Sequence, residues 1–370
     1  MPPQSKLAEW FPHAQFPVIF SAPMLRASNG TLAAEVSKAG GVGVIPGGYN
    51  FLPSSPHLTA LEHELTVARS ILNPPPGDDS YLPVGVGFIL THPSFATHFL
   101  ATALPLLRTH RPRAVWLFAP HPDFEPSSSS PAQEGSQSPL AKVIAALKSE
   151  GFVVISQVGT VAAAKRAVQA GADVIVAQGV DAGGHQFRGG AGAVTLVPEV
   201  GDMVAREVGK EGEVVVVAAG GVVDGRGIAA ALALGAEGVV MGTRFIASTE
   251  ASVPSWHKDL ILSATDGGPS TVKTPVLDEI QGTGSVWPDV YDGRALVTKS
   301  WLDHLAGMPL EENIRLFKEA EEKGEVERKV TWAGTGVGLV KEVRPAGEIV
   351  REVREEAIKR IRALQGVIDG

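Results

Sequence analysis

The stretch 214–245, VVVVAAGGVVDGRGIAAALALGAEGVVMGTRF, reads as strand, helix, strand. Its first run, 214–221, is apolar on both faces of an extended chain, as a strand buried between two layers must be. Residues 225–234 (GRGIAAALAL) carry alanine and leucine at helical spacing and stop at a glycine, the residue best suited to ending a helix. The third run, 238–245, is strand-like again. Outward from this unit the same alternation recurs, with apolar runs at 18–23 (VIFSAP), 41–47 (GVGVIPG), 83–90 (PVGVGFIL), 114–119 (AVWLFA), 152–158 (FVVISQV) and 174–179 (VIVAQG). Helix-like segments such as 31–39 and 160–170 lie between them. Eight buried strands alternating with helices predict an α/β fold, a (β/α)8 TIM barrel. An open doubly wound sheet shares the alternation, but small or polar residues at several strand ends fit the catalytic rim of a barrel better.

The barrel is expected to occupy 1–250. Within it, 122–138 (PDFEPSSSSPAQEGSQS) is rich in Ser and Pro with little to bury, and reads as a disordered surface insertion. Residues 251–327 mix helix-like stretches with Gly- and Pro-rich turns, which suggests a small inserted, mainly helical domain. The segment 328–370 then returns to the barrel through 347–366, a charged amphipathic helix.

Composition narrows the chemistry. With 370 residues, 44% hydrophobic and 19% charged, the chain has material for one large core plus a smaller appended unit. A net charge of -8 gives no broad basic field, so binding driven by neutralising the phosphates of a nucleic acid is excluded. The absence of cysteine removes disulfides, thiolate metal sites and a cysteine nucleophile. No stretch has the length and apolarity of a membrane span, and the start MPPQSKLAEWFPHAQFP does not resemble a signal peptide, so a cytoplasmic enzyme is expected. No metal site is expected either, because His57 and His63, or His92 and His98, lack the spacing that puts two ligands on one helix face, and no HExxH occurs. There is no GxSxG elbow. The glycines of Gly40-Gly41-Val42-Gly43 read as part of a strand, which argues against a dinucleotide fingerprint.

Glycines at the ends of the last two barrel strands point to a different ligand. Gly220-Gly221 close the seventh strand and Gly242-Thr243 fall in the eighth, the two positions where barrels of this kind bind a phosphate through bare backbone N–H groups. Asp224, ahead of the next helix, is read as its N-cap. The segment 178–185, QGVDAGGH, leaves the sixth strand and carries His185 toward the rim behind Gly183 and Gly184. Of the chain's 10 histidines, this one follows a glycine loop where a cofactor's backbone contacts would lie. Neutral imidazole accepts a proton near neutral pH, as removal of a carbon acid's α-proton requires. A lone histidine is more often structural, and tight strand-to-helix packing is the bland reading of the glycines.

Three segments together resemble the nitronate monooxygenase (2-nitropropane dioxygenase) family. They are Ala22-Pro23-Met24 with AEVSKAGGVGVI (34–45), the QGVDAGGH loop, and AAGGVVDGRG (218–227) leading to MGTRF (241–245). YDGRAL (291–296) and WAGTGVGL (332–339) look like the C-terminal part of fungal members. The resemblance implies FMN over the barrel mouth, with Met24, Gln178, Gly183, Gly221, Met241, Gly242 and Thr243 as its contacts and His185 as catalytic base or substrate anchor. Ala22 and Pro23 at the end of the first strand, Gln157 at the end of the fifth, and Gly184 and Gly220 beside their matched neighbours complete the expected cofactor set. The chain departs from the family at Gly87, where many relatives place a flavin-contacting Asn, and at 186–190 after the histidine.

The implied reaction is oxidation of an alkyl nitronate or nitroalkane by O2 to a carbonyl compound and nitrite; a homodimer is the assembly considered, though the sequence does not fix it. The alternative is an NAD(P)H-dependent quinone or enoyl-thioester reductase on the same FMN barrel. A related nucleotide dehydrogenase would need the cysteine nucleophile that this chain lacks, and a non-catalytic flavin carrier would leave His185 without a chemical purpose.

Overall fold

The computed structural model describes residues 5–74, 80–124, 138–208 and 213–368. Eleven strands are present among them: β1 (Val18–Ser21), β2 (Gly43–Gly48), β3 (Leu82–Ile89), β4 (Pro112–Phe118), β5 (Val153–Val158), β6 (Val174–Gln178), β7 (Gly184–Phe187), β8 (Val215–Ala219), β9 (Gly238–Met241), β10 (Thr271–Thr274) and β11 (Tyr291–Leu296). Eight of them form one parallel sheet in the order β1-β9-β8-β6-β5-β4-β3-β2. A parallel bridge between Phe20 and Val42, just ahead of β2, brings the last strand back to the first and closes the barrel.

The alternation along each strand explains why both faces are apolar. Val215, Val217 and Ala219 of β8 point inward, where they meet Trp116, Ile155, Val176 and Phe20, while Val216 and Ala218 pack outward against the surrounding helices. Trp116, 1% exposed, fills much of the interior, so the barrel is a packed core rather than a pore. Leu7 and Phe11, in and just after the short helix Lys6–Trp10, join that interior cluster.

Helices expected at 31–39, 160–170 and 225–234 occur as Gly30–Lys38, Val161–Gln169 and Gly225–Ala233. The amphipathic helix expected at 347–366 spans Ala346–Ile368 and packs against Gly225–Ala233 and Gly30–Lys38. Its fit is close: Glu356 accepts the Gly225 N–H at 2.8 Å, and buried Arg354 donates to the carbonyls of Ala39 and Gly40 at 3.0 and 2.7 Å.

Several details differ from the sequence reading. The eighth barrel strand stops at Met241, and Gly242 starts a one-turn helix, Thr243–Ile246, in place of a strand running to 245; the apolar residues of that turn are buried anyway, so composition could not separate the two. Gly40-Gly41-Val42 form the turn between helix Gly30–Lys38 and β2, with only Gly43 in the strand. Because the order is helix then strand, the glycines still do not make a strand-to-helix phosphate turn. His185 lies in a short strand, β7, not in a loop. The partner of that strand is about a hundred residues away, and four residues behind a glycine pair carry little strand signal. In the expected 122–138 insertion, Pro122–Phe124 form a 3-10 turn with Phe124 buried against Phe95, and Ser138 caps helix Pro139–Ser149; residues 125–137 lie outside the described residues. The C-terminal region is mostly helical but contributes β10 and β11, which form an antiparallel sheet with β7 in the order β10-β11-β7.

The Asp224 cap gives a stability prediction. Its carboxylate accepts from the N–H groups of Arg226 and Gly227 at 2.9 and 3.2 Å and pairs with the Arg226 guanidinium. Burial pushes its pKa up, but those bonds outweigh burial and hold it below the usual carboxylate value. A folded value below the unfolded one means that this share of stability is complete above the ordinary carboxylate range and is lost as acidification passes the folded value. Asp224→Ala is expected to lower the unfolding free energy by about 1 kcal/mol at neutral pH. Asp224→Asn, an equally good cap, is expected to stay closer to wild type there while losing the acid-range dependence. Urea unfolding at neutral and acid pH measures both.

Candidate active site

The C-terminal ends of β1, β6, β8 and β9 gather most of the expected site. Ala22 donates its N–H to the Met241 carbonyl at 3.0 Å, and Ser28 locks the following turn by donating to the Ala22 carbonyl at 2.9 Å and accepting from the Met24 N–H at 3.3 Å. A Cβ placed on Gly242 would sit 3.6 Å from the Ala22 Cβ and the Met24 Sδ, so these two strand ends are neighbours. Gly220 and Gly221 leave β8 with φ of 109° and 72°, a left-handed path that other residues rarely follow. A Cβ on Gly221 would meet Asp181 at 3.2 Å and the Thr335 hydroxyl at 3.6 Å.

The WAGTG segment, 332–336, ties these pieces together. Gly334 donates its N–H to the Thr243 hydroxyl at 3.0 Å, Thr335 donates its N–H to the Asp181 carbonyl at 2.9 Å, and Gly183 lies directly against Ala333 and Gly334. Arg294 of the YDGRAL strand adds a second tie, donating to the Val180 carbonyl at 2.9 Å and the Thr271 hydroxyl at 3.0 Å. Burial holds its pKa below the ordinary guanidinium value, with Asp181 and Asp292 opposing. The two C-terminal motifs therefore form one side of the site.

Not every expected residue arrives in the same way. The Met241 side chain is fully buried in the outer core, so only its backbone reaches the rim. Gln157 uses its carboxamide oxygen to accept the Trp116 indole N–H at 3.0 Å. Gln178 donates to the His185 carbonyl at 3.2 Å, while its Oε1 is buried with no hydrogen-bond partner among the described residues. Pro23 explains the departure at position 87. A Cβ on Gly87 would come within 2.5 Å of the Pro23 ring, so this strand end has no room for an asparagine.

His185 pairs with Gly293 in the β7–β11 register, with Phe187 two residues on beside Tyr291. Its Nε2 lies 3.0 Å from both carboxylate oxygens of Asp278, and the two side chains are only 14% and 4% exposed. Trp287 stacks on the ring at 3.6 Å between centroids and 9° between planes, and Trp332 tilts against it at 4.6 Å. Gly293 makes the Trp332 position possible, since a Cβ there would lie 2.4 Å from that indole. Asp278, Trp287 and Trp332 were not apparent from the sequence. Asp278 in VLDEIQ (276–281) looks like one of a pair of surface acids with Glu279, and only the position of Trp332 within a family-like motif marked it at all. By contrast His57 has a structural role: its Nδ1 accepts the N–H groups of Tyr49 and Asn50, and burial pushes its pKa below the usual histidine value.

This arrangement exposes bare backbone at Gly221 and Gly242, a buried acceptor at Gln178, and a confined imidazole on the strand that Gln178 fastens. The nitronate monooxygenase family model matches residues 133–356. The chain is 55% identical to a nitronate monooxygenase of Neurospora crassa, covering 98% of this chain and 94% of that protein. It is 37% identical to the nitronate monooxygenase npaC of Metarhizium robertsii over 95% of this chain and 94% of that one. The solved structure of FabK from Thermotoga maritima superposes with a TM-score of 0.72 at 26% identity, covering 99% of both chains. With a family model spanning more than half its length and a fungal relative matching it almost end to end, this (β/α)8 oxidoreductase belongs to the nitronate monooxygenase family.

Proposed function

We propose that the protein binds FMN at the rim formed by β1, β6, β8 and β9 and oxidises alkyl nitronates, or the nitroalkanes that give rise to them, with O2 as oxidant. The products are a carbonyl compound and nitrite, and atoms and charge balance when one O2 serves two nitronates. The observation that carries this reading is Gln178. Its amide nitrogen fastens the strand bearing His185, while its Oε1 is buried and has no partner among the described residues. Leaving such an acceptor unsatisfied costs about 1–3 kcal/mol, and the N–H of a flavin ring would satisfy it within reach of the imidazole.

The rest of the donor set suits a mononucleotide. Gly220-Gly221 and Gly242 expose backbone without side chains, and the first amides of helix Thr243–Ile246 have no acceptor within the helix. One phosphate fits that set. Ala22, Pro23 and Met24 would border the ring, with the soft Met24 thioether against its face, and Gly183 and Gly184 would leave backbone free to approach it. When bound, FMN supplies the one-electron chemistry that couples nitronate oxidation to O2. His185 removes the α-proton of a neutral nitroalkane or holds the nitronate, and Trp287 and Trp332 restrict water around it.

The test is to purify the protein, denature it and identify the released cofactor, then assay nitrite with a nitronate as substrate. FMN release together with nitrite formation is expected. Release of FAD, or absence of nitrite from the flavin-loaded enzyme, would refute the reading.

A further inference from the structure

We propose that Asp278 is a positioning residue that fixes the tautomer of His185, so that Nδ1 is the nitrogen that takes the substrate's α-proton; this rests on the reading of His185 as the base. The geometry is specific. Both oxygens of Asp278 lie 3.0 Å from Nε2, and an ionised carboxylate can only accept hydrogen bonds. Nε2 must then carry the ring proton, which leaves the lone pair of neutral imidazole on Nδ1.

The surroundings of Asp278 indicate what its charge is for. It is 3% exposed, its other side-chain bond is from the Thr283 hydroxyl at 3.0 Å, and no Lys or Arg pairs with it among the described residues. A buried carboxylate without a cation is costly. The compensating charge arises on His185 when it is protonated, and the Trp287 face stacked on the ring favours the same cation. In the step itself the C–H bond breaks, its electron pair stays on the substrate as the nitronate, and the proton forms the Nδ1–H bond. The positive charge then rests between Asp278 and Trp287 until the proton passes to solvent. This is the division of labour of a carboxylate–histidine pair, in which the carboxylate orients the ring and stabilises imidazolium without taking the proton.

Asp278→Asn tests it. The amide can donate to Nε2, which favours the opposite tautomer and removes the charge. Turnover of a neutral nitroalkane by the FMN-loaded variant is expected to fall about a hundredfold or more, with a much smaller loss on a pre-formed nitronate. Nitrogen NMR of the isotopically labelled His185 ring is expected to show Nε2–H in the wild-type enzyme and Nδ1–H in the variant, a readout independent of any activity and so of the assignment of the reaction. Equal losses on both substrates with FMN retained would overturn the proposal. So would an unchanged tautomer in the variant. If Asp278→Asn does not fold, the wild-type spectrum decides, because Nδ1–H there contradicts the assignment directly.

Discussion

Replacing His185 by asparagine should lower turnover of a neutral nitroalkane by roughly a hundredfold or more, the scale of general-base catalysis, while leaving FMN content near wild type. Asparagine cannot take the α-proton, yet it is compatible in size with the space between Trp287 and Trp332 and can still donate to Asp278. A pre-formed nitronate needs no deprotonation. It should lose only what the imidazole contributes to binding, so the ratio of the two activities isolates the proton transfer from other effects. Equal activity of mutant and wild type on the neutral substrate would remove His185 from the base role. Loss of flavin from the mutant would recast the residue as part of the cofactor site.

An even larger effect on cofactor content is expected from Gly221→Asp. The backbone there has φ of 72°, and a Cβ would point toward Asp181 and Thr335, beside the proposed phosphate. A carboxylate about 4 Å from a phosphate charge costs about 4 kcal/mol at the effective dielectric of a protein site, close to a thousandfold in affinity. The variant should purify as a folded, colourless protein. Gly221→Asn is the control, since asparagine tolerates a left-handed backbone and has nearly the same shape without the charge. It should retain more FMN than the aspartate variant. Full FMN occupancy in Gly221→Asp would mean that the phosphate lies elsewhere.

Much of this architecture is legible in the sequence, for identifiable reasons. Runs such as 214–221 are apolar on both faces because both faces are buried, and that signal survives without any partner being known. The glycines at 220, 221 and 242 are visible because they follow the last two barrel strands, where such barrels bind phosphate, and Gly183 because it stands in the glycine loop ahead of His185. What the sequence hides is the origin of the walls around His185. β7 is four residues long and is a strand only because β11 pairs with it. Asp278 and Trp287 lie in a segment whose turns and short helices carry no periodicity that reveals burial, and they reach the imidazole through that same pairing. Position 87 shows the opposite limit: the sequence displays the missing asparagine, but only the Pro23 contact explains it.

In the proposed reaction a nitronate, not a nicotinamide, delivers electrons to the flavin. Mixing the purified enzyme anaerobically with a nitronate and, in a separate sample, with NADPH, while following flavin absorbance, distinguishes the two electron donors. A rapid spectral change is expected with the nitronate and none on that timescale with NADPH. Rapid bleaching by NADPH with no response to the nitronate would contradict it and assign the barrel to the reductases.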